Sequence, residues 1–260
     1  MRQAGILVGL ALLAGCSTHP ITGRDQILAL PAVQAAHADA SFAVSAGLPG
    51  TAAPACEQDC GSAENIAAFA ARVATIGARL EVSARGIDPE LFGQIDNFRV
   101  EVNHAIGAST GSSAGGRIAI GAGLARLEPT DTVIAFLIAR EMAHVIARHA
   151  AENSGASIVF SALGMLLPGI NVLARLVATK VGSSMLTRSW EAQQEREADD
   201  IAVTLLEHAG LPARVIAPEL DSGIKHALLP DGEWAARYLD SVRRVAFIAA
   251  SAPRVAVVGD

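Results

Sequence analysis

Positive charge is what this sequence has little of. Lysine and arginine together number 20 against 26 acidic residues, a net charge of −6. No basic stretch offers the electrostatic footprint of a nucleic-acid-binding surface, which excludes that class of function. Aromatic residues are also scarce, at 4%. The 51% hydrophobic content is carried largely by alanine, the best helix former, so a helix-dominated protein is expected. No apolar run is long and unbroken enough for a transmembrane helix. Ile6 to Leu13 (ILVGLALL) is too short, and the apolar stretch from Ser157 to Val181 is interrupted by Pro168-Gly169, Arg175 and Lys180. Internal repeats are absent. The 260 residues are enough for one principal domain with a sizeable core.

Arg2, the short apolar segment and the small residues after it have the shape of a secretory signal. Leu13-Ala14-Gly15-Cys16 resembles a bacterial lipobox, whose cysteine is acylated after cleavage. The resemblance implies residues 1–15 as signal peptide and Cys16 as the lipidation site. Ser17, rather than an aspartate, follows the cysteine, which resembles the enterobacterial sorting pattern for the outer membrane and implies a chain lipid-anchored at its periplasmic face. Only Cys56 and Cys60 then remain. A close pair in an oxidising compartment is expected to form a disulfide. A metal-binding pair is the alternative, but no second Cys/His pair has zinc-site spacing. Residues 16–61 read as a lipid-anchored tether and 62–260 as the main domain.

Apolar spacing predicts a helix over about 63–85 with Gly86 as its stop. Alternation predicts a strand over 97–103, the Gly/Ser-rich 107–116 reads as a loop, and Arg117 to Ile120 as a second strand. A long helix should begin at Thr130 or Asp131, either of which can cap it, and run to about Ala151. Another spans roughly 187–209, closed by Gly210 and Pro212, and the tail holds a helix over about 232–250.

The first long helix, IAFLIAREMAHVIARH, is strongly apolar but interrupted by Arg140, Glu141 and His144. Charges on such a helix need a partner or a purpose. The later helix carries Glu195-Arg196-Glu197-Ala198-Asp199. In gluzincin metallopeptidases, HExxH places two histidines on one helix face. The glutamate beside the first reaches the metal-bound water, and a second helix supplies a third, glutamate ligand. An aspartate one turn beyond that glutamate can orient a ligand histidine.

These segments resemble the membrane-associated zinc metallopeptidases typified by HtpX, Oma and the BepA-type periplasmic lipoproteins, metallopeptidase family forty-eight. Cys16 to Arg24 (CSTHPITGR) is similar to the CxxNPVTGR start of the lipoprotein members. Gly115 to Ile120 (GGRIAI) is similar to their GGKIxV edge strand beside the cleft. The resemblance covers about Cys16 to Gly210. It implies an α+β, predominantly helical zincin-like fold with a small β-sheet beside the cleft. It further implies a zinc cofactor, Glu141 as general base, His144 and Glu195 as metal ligands, and Asp199 as orienter of a ligand. The implied activity is zinc-dependent endoproteolysis of unfolded or misfolded envelope proteins.

One position departs from the pattern: Arg140 stands where the first ligand histidine belongs. A guanidinium has no lone pair to donate and carries a permanent charge. Hydrolysis is therefore expected to be impaired or lost. The alternative function is a non-catalytic pseudopeptidase that binds peptides as a chaperone or scaffold at the outer membrane. Arg140 is expected to fork between carboxylates, with Asp199, Glu195 and Glu141 as candidates. Residual metal binding through His144 and Glu195, helped by His226, is the competing view. His149 is read as lying on the opposite helix face from position 140. His104 reads as a loop residue, and Arg148 as structural.

Overall fold

The computed structural model describes residues 14–19, 21–29, 61–149, 152, 192–227 and 232–251. Cys56, Cys60, residues 1–13 and the apolar stretch 157–181 lie outside the described residues, as does the side chain of His226. No described helix is long and apolar enough to cross a membrane.

The fold is α+β and mostly helical. An N-terminal hairpin pairs β1 (Ala14–Thr18) with β2 (Asp25–Ala29), Cys16 opposite Ile27. Helix α1 (Ala63–Ile87) starts where the Ser62 side chain accepts from the Asn65 N–H at 3.1 Å, and it buries Phe69, Val73, Leu80 and Ala84. It runs past Gly86, the expected stop, to Asp88, whose N–H bonds Ala84 O.

Three short strands follow: β3 (Arg99–Asn103), β4 (Thr110–Ser112) and β5 (Arg117–Gly121). Their order in the sheet is β3-β5-β4, with β3 parallel and β4 antiparallel to β5. This corrects two sequence expectations. The segment 107–116 is not all loop, because Thr110 to Ser112 pairs with Ile118 to Ile120. And Arg117 to Ile120 is the central strand, not an edge: both its sides are occupied, and β4 is the edge strand, bordering the site helix together with β5. Gly121 permits this closure. A Cβ there would lie 2.1 Å from Gly107 O, a distance no side chain survives.

Helix α2 (Asp131–Ile146) is the centre of the core. Thr130 caps it, its side chain accepting from the Val133 N–H at 3.3 Å, and every residue from Val133 to Ile146 is buried. Buried all round, it packs against α1, β4, β5 and the two helices that follow. Helix α3 (Ala192–His208) lies along it and buries Ala198, Ile201, Ala202, Leu205 and Leu206. It ends in a left-handed turn at Gly210, where Leu211 N–H reaches back to Leu206 O at 2.8 Å. Helices α4 (Ala213–Ala227) and α5 (Gly232–Ser251) pair with each other and close the core with Ile216, Leu220, Val242 and Val245. Helix α4 was not among the expected elements, and it carries Pro218 inside it. Pro218 is exposed and has no N–H to donate within the helix.

Candidate metallopeptidase site

Arg140, Glu141 and His144 point from α2 into the contact with α3 and the sheet. All are buried, at 2%, 3% and 0% exposure. A guanidinium so deep must have its charge met, or the helix would not pack. Arg140 Nε donates to Asp199 Oδ1 at 2.8 Å, and the same guanidinium is in ion-pair contact with Glu195 Oε2. Glu195 and Asp199 are one turn apart on α3, so a single planar fork reaches both. Burial raises the pKa of Asp199. The Arg140 charge, its hydrogen bond and one from Ser241 of α5 oppose that rise.

Glu141 is held from the sheet side. Thr110 Oγ1 donates to Oε1 at 2.6 Å and Ser112 Oγ to Oε2 at 2.8 Å. Both donors come from β4, the strand that sequence propensity did not reveal. Glu141, a further candidate partner for Arg140, accepts from both of these hydroxyls.

His149 corrects another expectation. The helix does not continue to Ala151. Ala147 bonds back to Ala143 O, Arg148 takes a left-handed conformation (φ 60°), and the chain folds over. His149 is thereby carried to His144, Nδ1 to Nδ1 at 2.9 Å, with ring centroids 5.1 Å apart. Its Nε2 sits 2.9 Å from Glu197 Oε2. Burial lowers the pKa of His149, with the Glu197 hydrogen bond opposing. Burial, then the Arg140 charge, then His149 put His144 well below the ordinary histidine range. Both rings are therefore neutral at pH 7. Neutral His149 donates from Nε2 to the carboxylate and so accepts at Nδ1. His144 then carries its proton on Nδ1, and its Nε2 holds a lone pair.

Glu197 is itself pinned. Arg24, from the turn after β1, donates from Nε to Glu197 Oε2 at 2.7 Å, and from its two terminal nitrogens to Glu152 at 2.9 and 2.7 Å. Burial favours the protonated form of Glu197. Hydrogen bonds from His149, Thr22 and Arg24 outweigh it and bring the pKa down to about 2. A line of contacts thus runs Arg24, Glu197, His149, His144.

The helical site and the small sheet beside it define a metallopeptidase-type fold, and the sequence comparison agrees. The model of peptidase family M48 matches residues 96–234, just over half of the chain, and the protein belongs to that family. No curated protein matches the chain.

The zinc that this family uses does not fit the residues present. His144 has the tautomer a ligand needs, and Glu195 is one turn before Asp199, as a third ligand and the residue that orients the first histidine would be. But the first ligand position holds a guanidinium, which brings a positive charge to the place of a dication and offers it no lone pair. That guanidinium also engages Glu195, a carboxylate the metal would require. Among the described residues no group of three or more His, Cys, Asp or Glu side chains is arranged to hold a metal.

Proposed function

We propose that this chain is a non-hydrolytic member of its metallopeptidase family, a pseudopeptidase that holds extended polypeptide segments without cleaving them. On this reading Cys16 anchors it to the outer membrane at the periplasmic face, and its clients are unfolded or misfolded envelope proteins. The observation that carries the proposal is the ion pairing of buried Arg140 with Glu195 and Asp199. Metal-dependent hydrolysis needs a cation with an open coordination position, where water is bound and acidified. A guanidinium has no such position. The binding half of the reading draws on β4, the terminal strand of the sheet among the described residues. A peptide added alongside it would lie over Glu141, by strand addition.

The family itself favours a second reading, zinc endoproteolysis with a depleted ligand set. Metal analysis of the purified protein separates the two when combined with casein degradation and with titration of a fluorescent unfolded peptide. The pseudopeptidase binds peptide, carries far less than stoichiometric zinc and shows no cleavage sensitive to a chelator. Stoichiometric zinc together with cleavage abolished by Glu141→Gln would overturn it.

A further inference from the structure

The turn that follows β1 is built into the site. His19 is buried at 1% exposure although it lies only three residues after Cys16. Its Nε2 donates to Ile146 O at 2.7 Å, one of the carbonyls that the end of α2 leaves without a helical donor. Its Nδ1 accepts from the N–H groups of Ile21 and Thr22, each at 3.3 Å. The backbone closes the same turn, with His19 N–H to Arg24 O at 2.8 Å and Gly23 N–H to His19 O at 2.9 Å. Arg24 then grips Glu197 of α3 and Glu152 beyond α2. One turn thus holds the end of α2, the start of α3 and, through Glu197, His149 and His144.

We propose that the turn from His19 to Arg24 is a clamp that fastens the site directly to the lipid anchor, so that the bilayer surface covers the face of the domain around this turn. The proposal rests on the acylation of Cys16 given above. Three residues span at most about 11 Å fully extended. An ordinary flexible tether of twenty residues would have a root-mean-square reach of about 25 Å and leave the domain free to turn. Here no slack remains between the acylated residue and a buried histidine. Ile21, 41% exposed in this turn and five residues from Cys16, is a reporter position that the placement brings close to the lipid. Segments 16–24 therefore do more than tether: they set the distance and orientation of the site, and favour client chains that lie close to the membrane.

The test uses the full lipoprotein purified from membranes and reconstituted in phosphatidylethanolamine–phosphatidylglycerol vesicles that carry a headgroup nitroxide lipid. A fluorophore is placed at Ile21→Cys in a Cys56→Ser/Cys60→Ser background. A second protein has twenty Gly/Ser residues inserted after Ser17, which frees Cys16 and Ser17 from β2 and leaves the contacts of the His19–Arg24 turn in place. Mass spectrometry establishes the acyl group on Cys16 in both, and a melting curve establishes folding. The direct chain is expected to be strongly quenched, and the insertion to remove most of that quenching. Equal quenching in the two acylated proteins, or none in the direct one, would overturn the proposal. An unacylated Cys16 would overturn it through the anchor reading instead, and the mass identifies that case. Trypsin provides a second arm on the same vesicles. Cleavage after Arg24 is expected to be slow in the unmodified protein and fast in His19→Ala. Ready cleavage after Arg24 in the unmodified protein would equally rule the clamp out.

Discussion

Replacing Arg140 with methionine keeps length and apolar bulk but removes the charge. Asp199 is 3% exposed and Glu195, one turn away on α3, is half-buried, so the substitution leaves two neighbouring acidic groups without their cation. Removing one partner of a buried pair costs about 3–5 kcal/mol, because the remaining charge is uncompensated. For a domain of this size each kcal/mol moves the melting temperature by about 2–4 °C, so Arg140→Met should melt about 6–20 °C lower. Arg140→His removes the same charge but restores a nitrogen donor one turn from His144 Nε2, with Asp199 placed to orient the new ring. It should therefore be as unstable as Arg140→Met without metal and recover with zinc. At zinc a hundredfold above its dissociation constant the recovery is about 2.7 kcal/mol. Differential scanning fluorimetry with and without zinc, alongside metal analysis of the dialysed proteins, measures all of this. Two results would refute the reasoning. Arg140→Met melting with the unmodified protein would mean that the guanidinium does not join the helices. Arg140→His taking up no zinc would mean that the rest of the ligand geometry is not retained.

Stability should fall with acid in two stages. Burial lowers the pKa of His19, His144 and His149 from 6.5, so the unfolded chain binds protons there first and stability declines as pH drops below about 6.5. Glu197, brought from 4.5 to about 2, adds a second loss as pH falls from about 4.5 toward 2. A melting temperature unchanged between pH 7.5 and 5.5 would contradict the first stage. Ser112→Ala removes one of the two hydroxyl bonds to buried Glu141 and should cost about 1.5–3 kcal/mol in urea unfolding, the range for a hydrogen bond to a charged group. Gly121→Ala, which drives a methyl into Gly107 O, should cost at least about 1–3 kcal/mol as an overpacked site. Gly86→Ala, with open space around it near the end of α1, should instead stabilise by about 0.5–1 kcal/mol. A gain at Gly121 or a loss at Gly86 in the same unfolding series would show the local packing to be wrong.

Where local chemistry decides structure, the sequence was readable. Thr130 caps α2 and Gly210 closes α3 because a side-chain oxygen or a missing Cβ suffices there. The Arg140 partners were equally accessible, since Glu195 and Asp199 share a face by helical spacing alone. Long-range pairing was not legible. Thr110-Gly111-Ser112 has little strand propensity and becomes β4 only because β5 offers an edge and Glu141 needs donors. His149 was misplaced for a related reason. Extending helical spacing past Ile146 puts it on the far face, and no glycine or asparagine announces the left-handed turn at Arg148. The partners of Arg24 and His19, more than a hundred residues away in sequence, left no local trace.

The arrangement around Arg140 also accounts for how a peptidase fold survives the loss of its first ligand. In a metal site, folding and binding are coupled: the ligands meet only because a cation draws them together, and removing it leaves carboxylates in repulsion. Arginine satisfies the same electrostatic demand from within the chain. Its single charge and planar donors reach both Glu195 and Asp199, and it needs neither metal nor deprotonation of a ligand. Meanwhile Glu197 and His149 still hold His144 in the tautomer that presents Nε2, and Thr110 and Ser112 still fix Glu141. The parts beyond position 140 keep their geometry because each has its own partner, independent of zinc. What arginine cannot supply is a vacant coordination position at which water becomes a nucleophile. On the proposed reading, the residue that keeps the two helices together is also the one that separates the fold from its chemistry. For that reason the zinc content of Arg140→His is a sharper measure of the proposed loss of function than any assay on the unmodified protein alone.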